Sequence, residues 1–164
     1  MKELGFDSLN YLAVRIIMPM DIGWKMLRLT IVEFAMNTRD AKRTVAVLGA
    51  SPKSDRYSHK AMTRLSEAGY SVIPVNPAYT EIEGLAVVGT VLQAAQVAGS
   101  LHTLTLYLAP SRLESVIDDI VAARPQRVIF NPGTELLSLQ RALDRVNIPW
   151  LEACTLVLLS TGQF

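Results

Sequence analysis

Residues 44–58 constrain this chain more than any other stretch. Positions 44–48 are β-branched or apolar without alternation, the pattern of a central parallel strand covered on both faces. Gly49-Ala50-Ser51 follows at once, and small residues there let the backbone come close to a ligand. A polar loop with Pro52, Lys53 and Arg56 then leads through Tyr57 to a helix opening near Ser58. A helix N-terminus offers free N–H groups and the positive end of a dipole, so phosphate is its natural guest.

Downstream, apolar runs and amphipathic stretches alternate. A helix is expected over 59–68, stopped by Gly69, and a buried strand over 70–75, ended by Asn76-Pro77. Residues 81–84 read as a turn, 85–88 as a short third strand, and 90–97 as a helix capped by Thr90. A fourth strand over 101–108 ends in Ala109-Pro110. Ser111 and Glu114 have capping-box spacing, and Leu113, Val116, Ile117, Ile120 and Val121 then form one helical face. Residues 127–130 read as a fifth strand, and Asn131-Pro132-Gly133-Thr134 as the turn into a helix burying Leu136, Leu139, Leu143 and Val146. A sixth strand is expected over 148–151; for 154–164 helix and strand are not separable.

Repeated strand–helix units imply a single-domain α/β fold, a doubly wound, Rossmann-like parallel sheet with residues 44–48 in a central strand. Ligands of such sheets bind beyond the carboxyl ends of the strands. Those ends are Gly49-Ala50-Ser51, Asn76-Pro77, Ala109-Pro110 and Asn131-Pro132-Gly133, all small, polar or proline-bearing.

The chain has 164 residues and a formal net charge of +1, so no global charge points to nucleic acid or to a membrane surface. One cysteine, Cys154, excludes an internal disulfide framework and fits a reducing compartment, the cytoplasm. His59 and His102 are too few for a metal cluster of the His/Cys kind. Residues 1–40 depart from the pattern of the rest. Positions 11–20 are apolar but short and broken by Arg15 and Pro19, too short to span a bilayer. Glu3 and the lack of a small-residue cleavage site argue against a secretory signal. These residues are expected to be a poorly ordered extension or a start assigned upstream of Met36, dispensable for folding, with the domain covering 41–164.

The loop bears on the ligand. G-x-G-x-x-G is missing, since Gly49 is followed next by Gly69, and the end of the second strand carries Asn76 instead of the acid that bonds NAD ribose. Lys53 and Arg56 favour a more anionic nucleotide, NADP or coenzyme A. The alternative for both cations is solvated loop charge.

Val45 to Pro52, Arg56-Tyr57-Ser58, Ile73 to Pro77 and Asn131 to Glu135, in this order, resemble the small stand-alone CoA-binding proteins. They are also similar to the CoA-binding domain of succinyl-CoA synthetase α subunits. The resemblance covers residues 42–164 and implies CoA across the strand ends. It implies that Gly49, Ala50, Ser51 and the Arg56-Tyr57-Ser58 turn cradle phosphates. It further implies that Asn76 and Pro77 border the nucleotide, that Ala109 and Pro110 border the pantetheine arm, and that Asn131, Pro132 and Gly133 close the far side.

No catalytic constellation is evident. Ser51 and Ser58 have His59 nearby, but a helix-start histidine facing solvent is the simpler reading. Cys154 reads as a buried small hydrophobe and Asp118-Asp119 as solvated charge. The expectation is a CoA or acyl-CoA binding protein, a non-catalytic binding or regulatory module. The alternative is an NADP-type oxidoreductase or a small CoA-thioester enzyme. A homo-oligomer or an unknown protein partner stays open; nucleic acid and membrane are not expected.

Overall fold

A computed structural model of the chain describes residues 44–164; the readings made above for residues 1–43 lie outside the described part. Five parallel strands form the main sheet: β1 (Thr44–Leu48), β2 (Ser71–Val75), β5 (Thr103–Leu106), β6 (Arg127–Phe130) and β7 (Trp150–Glu152). Their order is β2-β1-β5-β6-β7. Two short strands, β3 (Glu81–Ile82) and β4 (Leu85–Ala86), make a separate antiparallel hairpin. The winding direction therefore reverses between β1 and β5, the switch point at which doubly wound sheets open a crevice.

β1 shows why its apolar run does not alternate. Val45 and Val47 enter one core with Met62 and Leu65 of helix α1 (Tyr57–Glu67). Ala46 and Leu48 enter the other core, with Val91 and Ala94 of α2 (Val91–Ala98). Val45, Ala46 and Val47 are fully buried. The second core continues through α3 (Pro110–Leu113), α4 (Ile117–Ala123) and α5 (Leu137–Arg145), with Leu113, Ile120, Leu139 and Leu143 fully buried. Leu159 of the last helix, α6 (Thr155–Ser160), packs against the first core, which resolves the ambiguous tail as helix. The described residues thus form a Rossmann-like α/β domain, β1 lying inside the sheet.

Four local expectations are corrected. Residues 85–88 do not add a strand to the parallel sheet: Leu85–Ala86 folds back on Glu81–Ile82, and only Val88 reaches the sheet, as a single parallel bridge to Val75. The hairpin explains how Pro74 sits within β2, which is an edge strand where a missing N–H is tolerated. Ser111 does not cap a helix. Pro110 takes the first helical position after Ala109, and the helix then tightens into a 3-10 turn, Glu114–Val116, before α4 begins. Asp119 is not solvated charge: its carboxylate accepts the N–H groups of Val91 (2.7 Å) and Leu92 (3.3 Å), holding α4 against the start of α2. Thr90 caps α2 as expected, in a full capping box with Gln93. His59 does not face solvent; its side chain is 13% exposed and meets Glu83 at 3.2 Å, tying α1 to the hairpin.

Candidate functional site

The strand ends of β1, β5 and β6 border a cleft of about 840 Å³. Its floor is built around Gly49. The backbone there has φ +87°, and a Cβ would lie 2.9 Å from the Tyr107 carbonyl oxygen and 2.9 Å from Leu108 Cδ2. Glycine is needed at this position so that β1 and β5 can exit the sheet side by side. The N–H groups of Gly49 and Ala50 both point to the Val75 carbonyl, at 3.0 and 3.4 Å, so neither is free for a ligand. Ala50 itself is fully buried. The small-residue loop is therefore a turn that lets a ligand approach, and its first two amides are already used.

The available donors lie one step further on. α1 begins after Arg56, whose side chain makes no capping hydrogen bond, so the first-turn amides of Tyr57, Ser58 and His59 lack a side-chain cap. Tyr57 and Ser58 line the cleft. Lys53 and Arg56 line it as well, and so does Arg112 from the first turn of α3. Among the described residues none of these three cations is in an ion pair. An anion has three positive side chains and a helix N-terminus on hand.

Asn76 and Asn131 both line the cleft, yet their amides serve the scaffold. Asn76 Nδ2 donates to the Ala50 carbonyl at 2.7 Å and its Oδ1 accepts the Ala78 N–H at 2.9 Å. Asn131 is 4% exposed; its Nδ2 donates to Thr105 Oγ1 (2.7 Å) and the Leu106 carbonyl (3.0 Å), and its Oδ1 accepts the Thr155 N–H (2.8 Å). The following turn also stabilises itself: Thr134 Oγ1 donates to the Asn131 carbonyl, and the Gly133 N–H donates to Glu135. Pro132, Gly133 and Ala109 also line the cleft. Pro52, Pro77 and Pro110 do not line it.

Several lining residues escaped the sequence reading: Tyr79, Tyr107, Leu108, Arg112, Thr134 and Leu156. The two tyrosines belong to the segments just past β2 and β5, so their place after a strand end is the signal that could have found them. Cys154 also lines the cleft, half-buried, so it is not the enclosed core residue expected. The Tyr107 hydroxyl is shut off from solvent without a hydrogen-bond partner. Burial pushes its pKa up to about 12, and the nearby Cys154 adds to the rise. The hydroxyls of Thr155 and Thr105 offset part of it; these two bond each other at 2.7 Å, and neither meets Tyr107 at hydrogen-bonding geometry. Among the described residues no group of three His, Cys, Asp or Glu is placed to hold a metal, and no helix is long and apolar enough to cross a membrane.

A doubly wound parallel sheet with a cleft at its switch point defines a Rossmann-like α/β domain. The family profile for CoA binding domains matches residues 43–160, and the chain belongs to that family. It is 28% identical over 79 residues to the uncharacterized protein YneT of Bacillus subtilis, an alignment covering 48% of this chain and 56% of that one. The chain thus spans little more than half the length of this curated relative. Among solved structures, an uncharacterized protein superposes with a TM-score of 0.66 at 34% identity, covering 74% of this chain and 98% of the other. A Thermus thermophilus protein gives 0.67 at 28% identity, covering 79% and 98%. A hypothetical protein from Pyrococcus horikoshii gives 0.65 at 26%, covering 75% and 84%.

Proposed function

We propose that this chain binds coenzyme A or an acyl-CoA in the cleft at the β1/β5 switch point, as a non-catalytic binding or regulatory module of the cytoplasm. One observation carries the reading: a single cleft combines an uncapped helix start and three cations without an ion pair among the described residues with the apolar residues Leu108, Ala109 and Leu156. CoA has this duality, a triply phosphorylated nucleotide joined to a long uncharged arm. Its phosphates suit the first turn of α1 with Lys53, Arg56 and Arg112, and its arm suits the apolar residues. NAD suits the site less well, because the end of β2 carries an internally bonded Asn76 where an acid would bond the ribose.

The test is a thermal-shift series with CoA, acetyl-CoA, NAD and NADP. A ligand at a hundred times its Kd adds about 2.7 kcal/mol, readily visible as a shift. CoA or acetyl-CoA is expected to stabilise the protein most. The reading is overturned if calorimetry on folded protein finds no CoA binding at millimolar ligand, or if NADP binds and CoA does not.

A further inference from the structure

We propose that Tyr79 is the platform for the base of the bound nucleotide, presented by the braced excursion between β2 and α2; this rests on the CoA reading above. The end of β2 is where doubly wound folds meet the nucleoside half of a nucleotide. The residue that usually reads the ribose there is replaced by Asn76, whose amide is taken by Ala50 on one side and Ala78 on the other. The same turn delivers Tyr79 three residues later, its N–H 3.4 Å from the Asn76 carbonyl. Its side chain lines the cleft, and the residue is 38% exposed.

That exposure does not come from a slack loop. Asn76 N–H donates to the Val88 carbonyl (2.9 Å), Val88 N–H to the Pro74 carbonyl (3.0 Å) and Val87 N–H to the Thr80 carbonyl (2.9 Å), closing the excursion at its base. The β3–β4 hairpin forms its tip, Ile82 is buried in the α1-side core, and Glu83 is held by His59 at 3.2 Å. The backbone that carries Tyr79 is fixed by these bonds, and a part-exposed aromatic residue lining a nucleotide cleft offers a ring face to a base. Tyr57 is the other exposed aromatic at the cleft, but Lys60 Nζ lies 5.3 Å from its ring centroid and it is 68% exposed at a helix end. It serves as the control.

Base stacking on an aromatic ring changes affinity by about tenfold or more when the ring is removed, with little regard to which base is present. The experiment is calorimetry on the full chain with CoA and with 4′-phosphopantetheine, which lacks the nucleoside, read by displacement where binding is weak. Tyr79→Ala is expected to weaken CoA about tenfold or more and to change 4′-phosphopantetheine less than about twofold. Tyr79→Phe should keep the wild-type affinity, and Tyr57→Ala should have the smaller effect of the two alanine variants. Should Tyr79→Ala fail to fold, Tyr79→Leu keeps the packing and loses the ring face. The inference is overturned if wild type binds CoA and the Tyr79 variant binds it equally well, if both ligands lose affinity alike, or if Tyr79→Phe falls as far as alanine. A wild-type chain that binds no CoA is a different result: it overturns the CoA reading and takes this inference with it.

Discussion

Asn131 Oδ1 accepts the backbone N–H of Thr155 at 2.8 Å, joining the end of β6 to the start of α6. The same side chain donates to Thr105 Oγ1 and to the Leu106 carbonyl, so one buried amide ties together β5, β6 and α6 beneath the cleft. Asn131→Ala leaves the Thr155 N–H and the Leu106 carbonyl buried without that partner, each a loss of about 1–3 kcal/mol. A destabilisation of about 3 kcal/mol is expected, seen as a lower urea midpoint at an unchanged slope. A change below about 0.5 kcal/mol, the range of ordinary surface substitutions, would remove Asn131 from this role.

Gly49 and Gly133 offer a paired comparison. Both have positive φ, +87° and +86°, so alanine is strained at either. A Cβ at Gly133 meets nothing within 4 Å, whereas at Gly49 it meets the Tyr107 carbonyl and Leu108 at 2.9 Å. Gly133→Ala should cost about 1 kcal/mol from the backbone alone, and Gly49→Ala distinctly more, because the Tyr107 backbone just past β5 must move. Thermal or urea unfolding of the two variants decides it, and equal losses would contradict the close approach of the strands.

The β-sheet was legible because burial on both faces leaves a direct mark on composition: 127–130 was read to the residue, and the cores of β1 and β2 were evident. The hairpin was missed because Glu81–Ile82 and Leu85–Ala86 are two residues each, too short to show a period. The Ser111/Glu114 spacing misled because Pro110 opens the helix, leaving Ser111 inside the first turn and Glu114 accepting from Ser138. In the cleft, the scaffold bonds of Asn76 and Asn131 were not legible, because their partners lie 24 to 26 residues away on neighbouring elements. Arg112 and Tyr79 depend on which strands are neighbours in the sheet, which a linear pattern does not contain.

Tyr107 gives the fold a high-pH limit. Its pKa is raised from 10.0 to about 12, chiefly by burial, so the folded state favours the protonated phenol more than the unfolded chain does. The contribution is fully present below pH 10 and is lost as pH rises through about 12, an amount on the order of 2–3 kcal/mol. Tyr107→Phe should not show this component. Because the hydroxyl has no partner, the same variant should be as stable as wild type, or slightly more so, at neutral pH. Unfolding curves of both proteins across that range, together with the phenolate absorbance, measure it. Parallel loss of stability in the two would show that Tyr107 titrates normally.

Cys154 lines the cleft, and among the described residues its thiol makes no hydrogen bond, while its carbonyl accepts the Leu158 N–H at 3.0 Å. Cys154→Ser should therefore leave reversible CoA binding within about twofold of wild type under reducing conditions, a change under roughly 0.5 kcal/mol. A larger loss in calorimetry would assign the thiol a part in holding the ligand.

Arg56 and Arg112 both line the cleft, one just before α1 and the other in the first turn of α3. If both meet phosphate, each alanine variant should weaken CoA binding by a charge-assisted hydrogen bond, about 1.5–3 kcal/mol, with little change in folding stability because among the described residues neither is in an ion pair. Dephospho-CoA separates their partners. A variant that loses less affinity for dephospho-CoA than for CoA has lost a contact to the ribose phosphate. One that loses the same for both has lost a contact to the pyrophosphate. The two arginines are also expected to flatten the salt dependence of binding when removed, since each screened attraction contributes to it. An Arg56→Ala protein that binds CoA as tightly as wild type, at low salt as well as high, would leave that guanidinium as solvated loop charge.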